Sequence, residues 1–219
     1  METKLLIIGK GDNIITMILD NLYSNGSIPE IHIFNNLNLP ILNTFEHDEF
    51  VLQMSNPSKI IKLEDLENDY DKFILGVYQP QHKIKIIESL NPDINKFTNI
   101  IHSGLDISKM SKLGKGVLIN SKVSIAAHTT IGDFVSINRH VSIGHHTIIN
   151  DFCSINPGVN IAGNVVIGEG TTIGMGTNIL HQVKIGKNSI IGAGSVVTKD
   201  IPDNVVAYGS PCKIIRNII

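Results

Sequence analysis

Residues 113–197 carry an unbroken period of six. Leu113, Ile119, Ile125, Ile131, Ile137, Ile143, Ile149, Ile155, Ile161, Ile167, Ile173, Ile179, Ile185, Ile191 and Val197 form one aliphatic column with no skipped step. Four places further on stands a small or β-branched residue, from Val117, Val123 and Thr129 through Cys153 to Ser195. The position after the aliphatic is often Gly (Gly132, Gly144, Gly168) or Asn (Asn120, Asn138), types that tolerate the backbone angles of a sharp corner. A period of six matches neither a 3.6-residue helix nor a heptad coil. It matches a β-helix in which short parallel strands turn corners and stack on the coil below. Three hexads make one triangular coil, so residues eighteen apart stack, and fifteen hexads predict five coils around an aliphatic interior.

The preceding segment has a different grammar. Leu5-Leu6-Ile7-Ile8 followed by Gly9-Lys10-Gly11 predicts a buried parallel strand meeting a tight turn. Ile14, Ile15, Ile18, Leu19 and Leu22 recur at helical spacing, and Asn25-Gly26 ends that helix. Ile31-His32-Ile33-Phe34 and Phe73-Ile74-Leu75-Gly76-Val77 read as further strands, Ile60 and Ile61 as an irregular one, and Ile84, Ile87 and Leu90 as a second helix. Ile100-Ile101 is a last strand, and residues 101–112 read as a link. The expected division is a small α/β domain over residues 1–100 and a β-helix domain over 101–219. Asp200-Ile201-Pro202 breaks the repeat, and the tail beyond it predicts a short strand or turn and a final helical turn near Ile214 to Ile219.

The strand–Gly-x-Gly–helix start has the form of a phosphate-binding turn. As a dinucleotide fingerprint it fails: Ile14 occupies the third glycine position, and Asn35 and Asn36 stand where an acid would hold a ribose diol. A nicotinamide dehydrogenase is excluded; a smaller nucleotide and a purely structural turn both remain open. Formal net charge is −2 with no basic run, which argues against a nucleic-acid partner. Cys153 and Cys212 form no metal or redox motif, consistent with a reducing compartment. The N-terminal apolar run of Leu5 to Ile8 is too short for a signal peptide or a membrane span, so a soluble cytoplasmic protein with no membrane partner is expected.

Stacking by eighteen turns corner residues into columns. Ala127, His145, Gly163, His181 and Lys199 form one; His128, His146, Asn164, Gln182 and Asp200 form the next. An imidazole beside an exposed glycine backbone pairs a base with an N–H donor, the minimum for acyl transfer. The rival is a zinc site converging from three of His128, His140, His145 and His146, as in a zinc lyase of the β-helical carbonic anhydrase type.

The repeat, Gly144-His145-His146, Ile161-Ala162-Gly163-Asn164-Val165 and Gly209-Ser210-Pro211-Cys212-Lys213 together resemble the bacterial nucleotide-sugar N-acetyltransferases. Those enzymes acetylate UDP- or GDP-linked 4-amino-4,6-dideoxysugars, and sialic-acid O-acetyltransferases are their relatives. The resemblance covers nearly the whole chain. It implies a Rossmann-like N-terminal domain that binds the nucleotide sugar, a left-handed parallel β-helix, and a homotrimer with acetyl-CoA between neighbours. It also implies acetyl-CoA as co-substrate with no bound cofactor or metal, and a role in surface glycan biosynthesis such as lipopolysaccharide or O-antigen. Carried over by position, Gly11, Asp12, Asn13, Asn35, Asn36, Gly76 and Gln79 match sugar-nucleotide positions. His145 matches the general base, Gly163 the donor to the thioester oxygen, and Ser154, Met175 and Ala193 the coenzyme lining, with Lys213 adding positive charge. Three departures stand out: His146 replaces the usual acid, Ser154 a second histidine, and Asn35-Asn36 an acidic pair. A sialic-acid-type O-acetyltransferase and a non-catalytic ligand-binding β-helix are the other readings.

Overall fold

The computed structural model describes residues 4–9, 11–26, 30–34, 52–54 and 69–218. Strand β1 (Lys4–Ile8) is apolar on both faces, and its pleat sends Leu5 and Ile7 to one side and Leu6 and Ile8 to the other. It therefore sits inside a four-stranded parallel sheet, ordered β3-β2-β1-β4, with β2 (Glu30–Phe34), β3 (Leu52–Met54) and β4 (Lys72–Leu75). Helix α1 (Asp12–Ser24) packs Ile14, Ile15, Ile18, Leu19 and Leu22 on the Leu5/Ile7 side. Helix α2 (Pro80–Leu90) covers the Leu6/Ile8 side, with Ile86 at its centre. Its buried stripe is Pro80, Lys83 and Ile86; the expected Ile84, Ile87 and Leu90 are half-buried beside it, because a lysine occupies the core-facing position. Ile60, Ile61, Asn35 and Asn36 lie outside the described residues.

From residue 100 the chain winds into a left-handed parallel β-helix of about six turns. The first face stacks Ile100–Ile101, Leu118–Ile119, Ser136–Ile137, Ser154–Ile155, Thr172–Ile173 and Ile190–Ile191. The second runs from Asp106–Ile107 through Ser142–Ile143 and Asn160–Ile161 to Val196–Val197, and the third from Lys112–Leu113 through Ile148–Ile149 to Lys184–Ile185. Partners are eighteen apart, as in Ser136 with Ser154, and the aliphatic and small columns fill one continuous core. The fourth place of nearly every hexad turns the corner at positive φ, 61° at His128, 58° at His146 and 59° at Asn164. Non-glycine residues hold this left-handed conformation because the coil below fixes it, as when His146 N–H donates to Ala127 O at 3.1 Å.

Two boundaries differ from expectation. Residues 101–112 are no link: Ile101 and Ile107 continue the aliphatic column downward, and the prism starts at Ile100. His102 and Ser108 occupy the corners where Gly or Asn marks the later hexads, which hides the repeat. At the other end, Val205–Tyr208 joins the first face beside Ile190–Ile191. Lys213–Asn217 then pairs antiparallel with it, so the tail ends in a strand and not a helical turn.

The small sheet and its helices are fixed to the first face and an adjoining corner. Leu118 shares a core with Leu5 and Ile7, while Phe134 and Phe152 join Phe73 and Phe97 on the other side of the sheet. Asn21 Nδ2 donates to Ile119 O at 3.0 Å, Asn25 Nδ2 to Ile101 O at 2.7 Å and Tyr78 Oη to Ile155 O at 2.9 Å.

Candidate active site

The candidate catalytic corner lies between the second and third faces. Gly144 is required there by crowding: a Cβ would stand 2.5 Å from the Gly163 nitrogen of the next coil. The His145 ring lies directly over Gly163, where an added methyl would sit 2.7 Å from Cε1 and 2.8 Å from Nε2. His145 Nδ1 is 3.1 Å from His146 Nδ1. With the proton on His145 Nδ1, that atom donates to His146 and the Nε2 lone pair is left as the base. His146 in turn packs on His128 at 4.8 Å between centroids, tilted by 34°. Both His145 and His146 are exposed, and among the described residues no carboxylate forms an ion pair with either.

The backbone around Gly163 is equally specific. At the corner between the third and first faces, the matching N–H groups are capped from the coil above, Lys115 by Asp133 Oδ1 and Asp133 by Asp151 Oδ1. Gly163 N–H has no such acceptor among the described residues; the residue one coil above is His181. An imidazole and an uncapped N–H thus adjoin at one corner, the two groups that proton removal beside a developing oxyanion requires. His140 stands at the corner between the first and second faces, away from this cluster, and no group of three His, Cys, Asp or Glu among the described residues is arranged to hold a metal ion.

The positions matched to coenzyme divide. Met175 (57% exposed) and Ala193 are stacked on the corner between the first and second faces. They lie across the second face from Gly163. The outward side chains of that face, Ser142, Asn160 and Asn178, are polar and exposed, forming an open strip between the two corners. Lys213 is exposed on the last strand. Ser154 is a correction. It is fully buried beneath the small sheet, donating to Tyr78 O and accepting from Lys83 Nζ at 3.3 Å, and so has no surface to offer a coenzyme.

The glycine turn of the small sheet also differs from expectation. Gly11 N–H is already spent on Gly76 O at 2.8 Å, while Gly11 O accepts from Ile14 and Ile15. Among the described residues, nothing accepts from the N–H groups of Asp12 and Asn13, which open α1 without a side-chain cap. They are the donors available to an anion there. Gly76 is needed for packing, since a Cβ would lie 2.3 Å from Gly9 O. Gln79 precedes α2 in extended conformation, so residues 76–79 form the second wall of this edge.

These two half-sites do not face one another. The small sheet rests on the first face, and the His145 corner is the prism vertex opposite that face.

Residues 164–199 match the family model described as bacterial transferase hexapeptide (six repeats). A search of curated proteins gives no significant match. Among solved structures, the chain is similar to PerB, the perosamine N-acetyltransferase of Caulobacter crescentus, determined with CoA and GDP-perosamine. That match has TM-score 0.81 and 25% identity over 97% of each chain. The acetyltransferase domain of PglB from Neisseria gonorrhoeae, in complex with acetyl coenzyme A, gives TM-score 0.81 and 24% identity over 98% of this chain and all of the other. WeeI from Acinetobacter baumannii gives 0.76 and 19% over 97% and 100%. The chain thus has the fold of the hexapeptide-repeat acetyltransferases over nearly its full length. Among these neighbours, the Caulobacter enzyme is a perosamine N-acetyltransferase, of the kind that the corner and tail motifs resemble.

Proposed function

We propose that this protein is an acetyl-CoA-dependent N-acetyltransferase acting on a nucleotide-linked 4-amino-4,6-dideoxysugar for surface glycan synthesis. The observation that carries the reading is the His145 ring lying over Gly163 in a fold shared end to end with such transferases. The sugar amine attacks the thioester carbon, and Gly163 N–H stabilises the oxyanion. His145 Nε2 takes the amine proton and returns it to the departing CoA sulfur. Acetyl-CoA lies along the second face, near Asn160, Asn178, Met175 and Ala193. The reversal of strand order on either side of β1 supports a Rossmann-like nucleotide site at the carboxyl ends of β1 and β4, using Asp12, Asn13, Gly76 and Gln79. Asn35 and Asn36, next in sequence after β2, are proposed as further nucleotide contacts on the family resemblance alone. Incubation with acetyl-CoA and UDP-, GDP- and dTDP-linked amino sugars is expected to release thiol and add one acetyl group to the sugar. Thiol release only with hydroxyl acceptors would turn the assignment to an O-acetyltransferase.

We further propose a homotrimer in the cytoplasm; the opposed half-sites support the assembly, each small domain presenting its sugar to a neighbour's His145 corner. Exposed Ile148 and Leu180 flank that corner and would be covered by the neighbour. Two variants crippled in opposite halves are then expected to complement when co-expressed: His145→Ala, which removes the base, and Gly11→Val, whose side chain would crowd Gly76 O and Ile14 and displace the Asp12 and Asn13 N–H groups. Random mixing leaves about one site in four with both halves intact. The mixture should regain activity that neither parent has, and no recovery in verified mixed oligomers would rule the shared site out.

A further inference from the structure

Lys83 is buried to 1% exposure between α2 and the prism. Its Nζ donates to Phe134 O at 2.9 Å and Ser136 Oγ at 2.8 Å, with Cys153 O and Ser154 Oγ both at 3.3 Å. These acceptors belong to two successive coils of the prism, Phe134 and Ser136 on one and Cys153 and Ser154 on the next. The same residue is tied to the loop before it, because Lys83 N–H donates to Gln79 O at 3.1 Å. A donor directed at Ser154 Oγ leaves the serine hydrogen for Tyr78 O, the bond Ser154 makes. Tyr78 Oη reaches Ile155 O on the same rung. Residues 76–79, one wall of the proposed sugar-nucleotide site, are therefore anchored to the prism through Lys83, Ser154 and Tyr78.

We infer that Lys83 is a positioning residue: it pins residues 76–79 against the prism, so that the nucleotide-sugar site is held in register with the rung beneath it. The inference rests on the proposed function for the word substrate, but not for the pin itself. An apolar residue would fill this stripe with less desolvation cost, so a lysine here exchanges stability for directed bonds.

Burial lowers the Lys83 amine to about 7. The titratable groups facing it are the Cys153 thiol, which burial pushes up to about 12, and the Tyr78 ring at 5.8 Å, whose hydroxyl burial also raises. Both are neutral in the relevant range, so neither supplies a compensating charge. A lysine released to water titrates near about 10.4. Between the two values the released state holds one more proton than the docked state, so docking strengthens as pH rises above about 7.

The test uses the full chain. Amide protection factors for residues 76–90, corrected for intrinsic exchange, are measured between about pH 6 and about pH 9 in wild type, Lys83→Met and Ser154→Ala. Wild-type protection should be level below about pH 7 and then rise toward about ten-fold per pH unit. Lys83→Met should be flat, and Ser154→Ala should keep the slope while exposing residues 76–79. In steady state, Lys83→Met should raise KM for the sugar nucleotide about ten-fold, with KM for acetyl-CoA unchanged. A wild-type profile without a slope, or a Lys83→Met profile that keeps it, overturns the pin. So does an equal rise in both KM values. If Lys83→Met fails to fold, the wild-type slope and Ser154→Ala decide alone. If no amino sugar is acetylated by wild type, the exchange result still judges Lys83, and the failure belongs to the proposed function.

Discussion

Replacing His145 with Ala should lower kcat by about 10²–10⁴-fold, the usual contribution of a positioned base, while both substrates still bind. The His145 ring packs over Gly163 with Nδ1 turned to His146, which leaves Nε2 as its free nitrogen, and no carboxylate among the described residues pairs with either corner histidine. His146 supplies a hydrogen-bond partner for Nδ1 at 3.1 Å but not the anionic charge that would stabilise an imidazolium. His146→Ala should therefore cost less than His145→Ala. His146→Asp should match or exceed wild type, since a carboxylate both orients the ring and favours its cation. Steady-state kcat for the three variants checks the assignment. Near-full kcat in His145→Ala, with loss in His146→Ala, would exchange the two roles.

Gly163→Ala should be nearly as damaging, although alanine keeps the N–H. Its methyl would occupy the space of the His145 ring, 2.7 Å from Cε1, and must push the base off the reacting volume. Misplacing a catalytic group by about 1 Å costs on the order of 10²-fold. Because that loss acts through His145, it should nearly vanish in the His145→Ala background, a coupling readable from a double-mutant cycle. If Gly163→Ala costs the same factor in both backgrounds, the methyl is disturbing the oxyanion donor or the coil and not the base.

Much of this was legible in the chain because a hexad repeat states the fold fifteen times over. Each rung, corner and buried aliphatic follows from position alone, and so does the pairing of His145 with Gly163. Legibility failed where a residue's role came from a second element. Ile101 and Ile107 belong to the repeat, yet His102 and Ser108 deny it the corner glycines and asparagines that announce it. Ser154 sits at a position with no local mark of burial; Tyr78 and Lys83, from the loop and helix of the docked domain, cover it. Lys83 broke the helical pattern for the same reason, since a lysine in a 3.6 period reads as a solvated face. Gly11 looks like a phosphate contact, but its N–H is committed to Gly76 O, a partner far along the chain that no local pattern names.

The unbroken stacking above Gly163 makes the upper prism a ruler. Each coil advances the chain by one inter-strand spacing of about 4.8 Å without rotating the faces. From Gly163 to Val197, below the break at Asp200-Ile201-Pro202, the prism therefore defines a length in discrete steps. Adding or deleting eighteen residues past Ile173 would change that length by one step. It would leave the His145 corner, the docked small sheet and the Lys83 contacts untouched, because all of them lie lower down. A fold of this kind can thus be retuned for a longer or shorter extended ligand by counting coils, with its chemistry held constant.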